Sequence, residues 1–141
     1  MKYVLDPSVA LKWVLPEPLA GKALQLRADS QSQIHELIAP DVFPAEVAHA
    51  LTRAERRKII AIGEAAVFLA NVLSTSPTLH DYIPLLGRAV AISSRMRAGV
   101  YDCLYVALAE REGCEFVTAD DKLVNNLQPT FPGIIHLAAM P

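Results

Sequence analysis

Apolar residues in this chain fall into two kinds of stretch, and the two alternate. Short runs rich in β-branched and aromatic residues read as strands: YVLD from Tyr3, HELIA from His35, EFVTAD from Glu115 and GIIHLA from Gly133. Longer stretches carry apolar positions three and four apart and read as helices: Leu19 to about Ser30, Pro44 to about Arg57, Gly63 to about Ser74, Ile83 to about Met96, and Val100 to Glu112. Pro16, Pro18, Pro40, Pro44, Pro77 and Pro84 stand at the boundaries, because proline lacks an amide donor and disfavours helical geometry in the residue before it. The alternation predicts an α/β fold with parallel strands joined by helical crossovers. There is no internal repeat, low-complexity tract or long linker, so residues 1–141 are expected to form a single domain.

Composition narrows the picture. With 52% hydrophobic residues in 141, the chain can bury a substantial core. Its 13 basic and 15 acidic side chains give a formal charge of −2, without the overall positive charge of many nucleic-acid binders. Any nucleic-acid contact must therefore use local patches or a metal ion. Met1 and Lys2 lead directly into YVLD without a secretory signal, and no apolar stretch is long enough to cross a bilayer, so a cytoplasmic protein with no membrane contact is expected. Cys103 and Cys114 lack paired metal-binding spacing and read as reduced packing residues, and the four histidines are scattered without an HExxH arrangement.

Asp6, Glu46, Asp102 and Asp120 change the picture most. Each is set in apolar or small-residue sequence, where a lone carboxylate is unfavourable to bury unless it shares a cation or a wet site with others. Asp6 closes the first strand, Asp120 follows the strand EFVT, and Glu46 and Asp102 fall in the opening turns of helices. In an open parallel sheet ligands bind beyond the carboxyl ends of the strands, where strand order reverses, and all four acids could reach that edge. Taken singly, Asp102 and Asp120 are as well explained as helix caps, and Glu46 as a solvated first-turn acid beside core positions Val47, Ala50 and Leu51. Asp6 reads ahead of them as functional.

Together the four suit Mg²⁺ or Mn²⁺, which take oxygen ligands and keep open positions for water and phosphate. Such an ion can activate water toward a phosphodiester and makes an acidic pocket compatible with a polyanion. Ser8 and Thr118, two residues from Asp6 and Asp120, are placed to hydrogen-bond a metal ligand or its water, or to act as turn residues. Arg95 and Arg97 are candidate contacts to a substrate backbone or an exposed loop. Arg53, Arg56, Arg57 and Lys58 read first as a solvated helix end, and Trp13 and Tyr105 as core or interface aromatics. The single Glu46-x-x-His49 pair falls short of a di-iron bundle, which needs that motif twice.

The opening VLDPSVALKW with Glu17 soon after, the central APDVFPAEVAHAL and the later VYDCLYVALAEREGCEFVTADDKL resemble the PIN-domain ribonucleases, in particular the VapC-type toxin branch. The resemblance runs through nearly the whole chain. It implies a three-layer α/β/α sandwich around a parallel sheet and RNA cleavage with Mg²⁺ or Mn²⁺ held by an acidic quartet. Carried over position by position, that quartet is Asp6, Glu46, Asp102 and Asp120, with Asp121 placed to assist or replace Asp120. Pro7 departs from the small or hydroxyl residue common in the family and stiffens the turn without removing a ligand. A cognate antitoxin that blocks the acidic pocket, and a homodimer, are implied as partners. The function expected is thus a metal-dependent endoribonuclease, the toxin of a type II toxin–antitoxin pair; the alternative is a PIN-like scaffold that binds a protein or nucleic acid without cutting. A haloacid-dehalogenase-type phosphatase would need an aspartate where Ser8 stands, and a phosphoacceptor receiver would need adjacent acids after the first strand.

Overall fold

In the computed structural model, which describes Met1–Pro141, the apolar opening run forms the central strand β1 (Lys2–Leu5) of a sheet in which every pairing is parallel. The others are β2 (Glu36–Pro40), β3 (Thr78–His80), β4 (Glu115–Thr118) and β5 (Ile134–His136), in the order β3-β2-β1-β4-β5. The chain therefore builds outward from β1 to one side and then returns to build on the other. Strand order reverses at β1, which opens a crevice between the ends of β1 and β4. Register there is Tyr3 opposite Glu115, Val4 opposite Phe116 and Leu5 opposite Val117. Val4, Leu5, Ile38, Ala39, Phe116 and Val117 are wholly buried, as expected for strands covered on both faces.

Seven helices flank the sheet to give a three-layer α/β/α sandwich: α1 (Pro7–Ala10), α2 (Ala20–Gln31), α3 (Phe43–Arg56), α4 (Glu64–Leu73), α5 (Leu86–Met96), α6 (Val100–Glu112) and α7 (Asp121–Leu127). None is long and apolar enough to cross a membrane. The helix α6 is the keystone. Cys103 through Ala109 are all buried, so this helix is apolar all round and packs between α5 and strands β1, β2 and β4. It stops at Gly113, whose φ of 62° suits glycine; Cys114 N–H then donates to Ala109 O at 3.1 Å and turns the chain into β4.

The five helices read from periodicity all form, within a residue or two at most ends; the segment from Ile83 begins with a 3₁₀ turn, Ile83–Leu85, before α5. Three elements escaped the pattern. The strand β3 is three residues on the sheet edge, with Thr78 and Leu79 exposed, too short for an alternating signal. Helices α1 and α7 are four and seven residues, shorter than two helical turns. The last strand is also shorter than GIIHLA suggests, because residues Leu137–Ala139 wind into a 3₁₀ turn.

Candidate active site

Asp6 sits one residue beyond β1 and is held by both neighbouring loops. Its backbone N–H donates to Val117 O at 3.0 Å, which extends the β1–β4 ladder, and its carboxylate caps α1. Pro7 occupies the first turn of that helix, where its missing N–H is no loss and its fixed φ favours the helical start. Asp6 Oδ2 accepts from Ser8 N–H at 3.1 Å, from the Ser8 hydroxyl, and from the Thr118 hydroxyl at 3.2 Å. The two hydroxyls are themselves acceptors: Ala119 N–H donates to Ser8 Oγ at 2.9 Å and Asp120 N–H to Thr118 Oγ1 at 3.1 Å. Ser8 and Thr118 thus tie the turn after β1 to the turn after β4 through one carboxylate.

Burial dominates the electrostatics of Asp6, which is only 6% exposed. Desolvation pushes its carboxyl up to about 7, the Ser8 hydrogen bonds oppose that shift, and the charges of Asp102 and Glu46 add to it. Glu46, in the first turn of α3, is likewise raised by burial; the Tyr105 hydroxyl, which donates to Oε1 at 2.7 Å, pulls it back, and Asp102 pushes it further up. Asp102, in the first turn of α6, is raised by burial and then by Asp120. Each of these acids therefore feels at least one of the others, and four carboxylates from four separate segments face one edge of the sheet.

The bonding distinguishes the two acids for which capping was an equal reading. Asp120 does cap α7, with Oδ1 accepting from Lys122 and Leu123 N–H at 3.0 and 3.2 Å. Asp102 does not cap: Gly99 is the N-cap of α6, and no side-chain hydrogen bond closes it. Asp121 lies apart from the group, 85% exposed at its side chain and paired with His136 Nε2 at 2.9 Å. Ala138 N–H donates to His136 Nδ1, which leaves Nε2 to carry the proton toward Asp121. Arg95 and Arg97 are exposed at the end of α5, a turn fastened to α7 by Asn126, whose side-chain amide donates to Met96 O at 3.2 Å.

Tyr105 is the residue that sequence reasoning placed only in part. Its ring is packed as expected, 1% exposed and stacked on Phe116 with centroids 5.6 Å apart, yet its hydroxyl reaches the acidic edge. The available signal was its position three residues after Asp102, on the same face of α6. Cys103 and Cys114 are free thiols, and burial pushes the Cys103 thiol up to about 11, in keeping with a packing role.

The donors at this edge are all carboxylate and hydroxyl oxygens, the chemistry of a hard divalent ion. No three His, Cys, Asp or Glu side chains close into a ready-made cage.

Comparison with known proteins agrees with this architecture. A family model described as PIN domain matches residues 3–126. The chain is 34% identical over 137 residues to Ribonuclease VapC3 of Pyrobaculum aerophilum, covering 96% of this chain and 98% of the relative. It is 34% identical over 123 residues to Ribonuclease VapC12 of Mycobacterium tuberculosis, covering 87% and 90%. The fold resembles the crystal structure of a Pyrobaculum aerophilum protein at TM-score 0.70 and 22% identity, over 98% of this chain and 93% of that one. VapBC2 from Rickettsia felis, solved bound to a promoter DNA fragment, aligns at TM-score 0.66 and 14% identity over 96% and 97%.

Proposed function

Because this chain belongs to the PIN-domain family, in its VapC ribonuclease branch, we propose that it is a metal-dependent endoribonuclease and the toxin of a type II toxin–antitoxin pair acting in the cytoplasm. The observation that carries this reading is the meeting of Asp6, Glu46, Asp102 and Asp120 at the strand-order reversal, with Asp6 buried among like charges. A carboxyl raised to about 7 is only partly ionised at neutral pH, a bound cation would favour its ionised form, and the four acids are the residues that would hold Mg²⁺ or Mn²⁺. The bound ion would supply an acidified water and offset charge on the departing oxygen, so that a phosphodiester is hydrolysed to a 5′-phosphate and a 3′-hydroxyl.

The protein's part is positioning. Ser8 and Thr118 orient Asp6, Tyr105 orients Glu46, and the first amides of α7 fix Asp120 with one oxygen engaged. Asp102 keeps its carboxylate free of hydrogen bonds within its own helix cap. An antitoxin and a second copy of the chain are the protein partners of this reading. Ile59, Ile62 and Val67 stand exposed on the α3–α4 hairpin, 55%, 93% and 65% respectively, and give apolar surface for a partner to cover. Purified protein freed of antitoxin should cut total cellular RNA into discrete fragments with Mg²⁺ or Mn²⁺, and a chelator should stop it. Binding of RNA without cutting would favour the scaffold reading instead.

A further inference from the structure

The acidic edge leaves a problem for any RNA that enters it, because the carboxylates repel the strand on either side of the cut. The helix α3 carries an answer on the flank that leads away from Glu46. His49, Arg53 and Arg57 follow Glu46 at steps of three, four and four, which at about 100° per residue keeps all four within an arc of ~80° and spreads them over ~16 Å. All three are exposed, and this arc lies beside the buried one formed by Phe43, Val47, Leu51 and Ala54. The arginine ion pairs of the molecule join Arg88 to Glu110 and Arg111 to Glu112, so Arg53 and Arg57 are uncommitted.

Two adjoining concavities follow this flank. One is lined by Val42, Ala45, Glu46, His49 and Tyr101, and the other includes His49, Arg53 and Arg57; His49 is their shared wall. Tyr101, next to Asp102, is 57% exposed beside Glu46. An exposed aromatic there offers a face to a base. The one acid in the second concavity, Glu17, has its charge countered by Lys12 at 3.6 Å. A favourable helix macrodipole accounts for Arg53 in the last turn and Arg57 at its end, but not for His49 or Tyr101, nor for two concavities that share His49 and reach Glu46.

We propose that this flank is the track of a single-stranded RNA: His49, Arg53 and Arg57 hold its backbone, and Tyr101 stacks a base next to Glu46. The proposal rests on the ribonuclease reading and adds where the strand lies. It is tested by binding of a short, labelled, mixed-sequence single-stranded RNA to the Asp102→Asn protein in Mg²⁺, across a salt series. Replacing both Arg53 and Arg57 by Ala should weaken binding by about tenfold or more at low salt and reduce the slope of log affinity against log salt by about 1.4, or ~0.7 for each lost phosphate contact. Tyr101→Ala should weaken binding with the slope unchanged, and Tyr101→Phe should restore it, since stacking is uncharged. Arg88→Ala, on a paired surface arginine, should alter neither quantity. In the otherwise unaltered enzyme the arginine pair should raise KM and leave kcat within about twofold.

Unchanged affinity and slope in the arginine variant would overturn the track, whether that face proves solvated or receives an acidic protein segment. Cutting by the unaltered enzyme alongside an unchanged slope would remove the track alone; absence of both cutting and binding would remove the ribonuclease reading with it.

Discussion

Thr118, the last residue of β4, donates its hydroxyl at 3.2 Å to Asp6, the residue that follows β1, across 112 positions of sequence. The same oxygen accepts from Asp120 N–H, so one buried threonine sets the distance between two of the four acids. Thr118→Val keeps the shape and removes both bonds. It should lower stability by about 1–3 kcal/mol in urea unfolding, because a buried carboxylate loses a donor. RNA cleavage should fall by about 10- to 100-fold, the usual effect of losing a group that orients a metal ligand. Thr118→Ser should recover most of both.

Tyr105 holds Glu46 from the core side. Tyr105→Phe leaves the ring on Phe116 and removes only the hydroxyl, so the fold should survive with a stability change of about 1 kcal/mol. Its effect should fall on the acidic edge: the Mn²⁺ affinity read by calorimetry should drop by about tenfold, and cleavage at limiting metal should drop in step. Equal metal affinity in both proteins would make the bond a packing feature.

Asp120 and Asp121 are neighbours in sequence with opposite surroundings. Asp120 faces Asp102 and caps α7, while Asp121 pairs with His136 at the surface. Asp120→Asn retains a capping oxygen and should reduce cleavage by about tenfold or more with little loss of stability. Asp121→Asn should leave cleavage within about twofold, since its exposed side chain is engaged by His136 away from the other acids. Kinetics on a single RNA with both variants checks the assignment, and a reversed order of effects would transfer the role to Asp121.

The raised carboxyls give the metal-free protein an uncommon pH dependence. Asp6 titrates at about 7 in the folded chain and near the ordinary value of ~3.9 when unfolded, so between those values the folded state holds a proton that the unfolded state has released. Stability in chelator should therefore fall as pH rises from about 4 to about 7, by on the order of a few kcal/mol, and then level off. Glu46 and Asp102 are raised too and act in the same direction. Added Mg²⁺ should restore stability most at the upper end of that range, and Asp6→Asn should flatten the slope. Thermal unfolding at several pH values, with and without metal, measures this; stability that rises with pH in chelator would contradict it.

Much of the layout is legible in the sequence itself. Helix α3 announces itself because its 14 residues keep an apolar stripe at helical spacing, α6 because an apolar run within 13 residues is too long for a strand, and strand ends at Asp6 and just before Asp120 place those acids on one edge of any parallel sheet. What was hidden depends on contacts distant in sequence. The Tyr105 ring satisfies every expectation of a core aromatic, so nothing local betrays that its hydroxyl meets Glu46, 59 positions away. Asp121 is ranked behind Asp120 in sequence only by the family pattern of an acid directly after Thr-Ala, whereas in the fold His136 draws it aside. Helix α7 was masked by its own cap, since Asp120 reads equally as a site residue and as a helix start, and is bonded as the latter. The His49–Arg53–Arg57 line was visible as spacing, but only the adjoining concavities connect it to Glu46.

If the four carboxylates form a metal-dependent RNA-cutting site, the products carry its signature. End-group mapping of a single RNA substrate cut by the purified chain, with Mg²⁺, with chelator, and with Asp102→Asn, reads that signature. Fragments carrying 5′-phosphate and 3′-hydroxyl ends, lost in chelator and reduced by about a thousandfold or more in the variant, are the predicted result. Equal cutting in chelator or by a folded Asp102→Asn protein, or cyclic-phosphate ends, would contradict it.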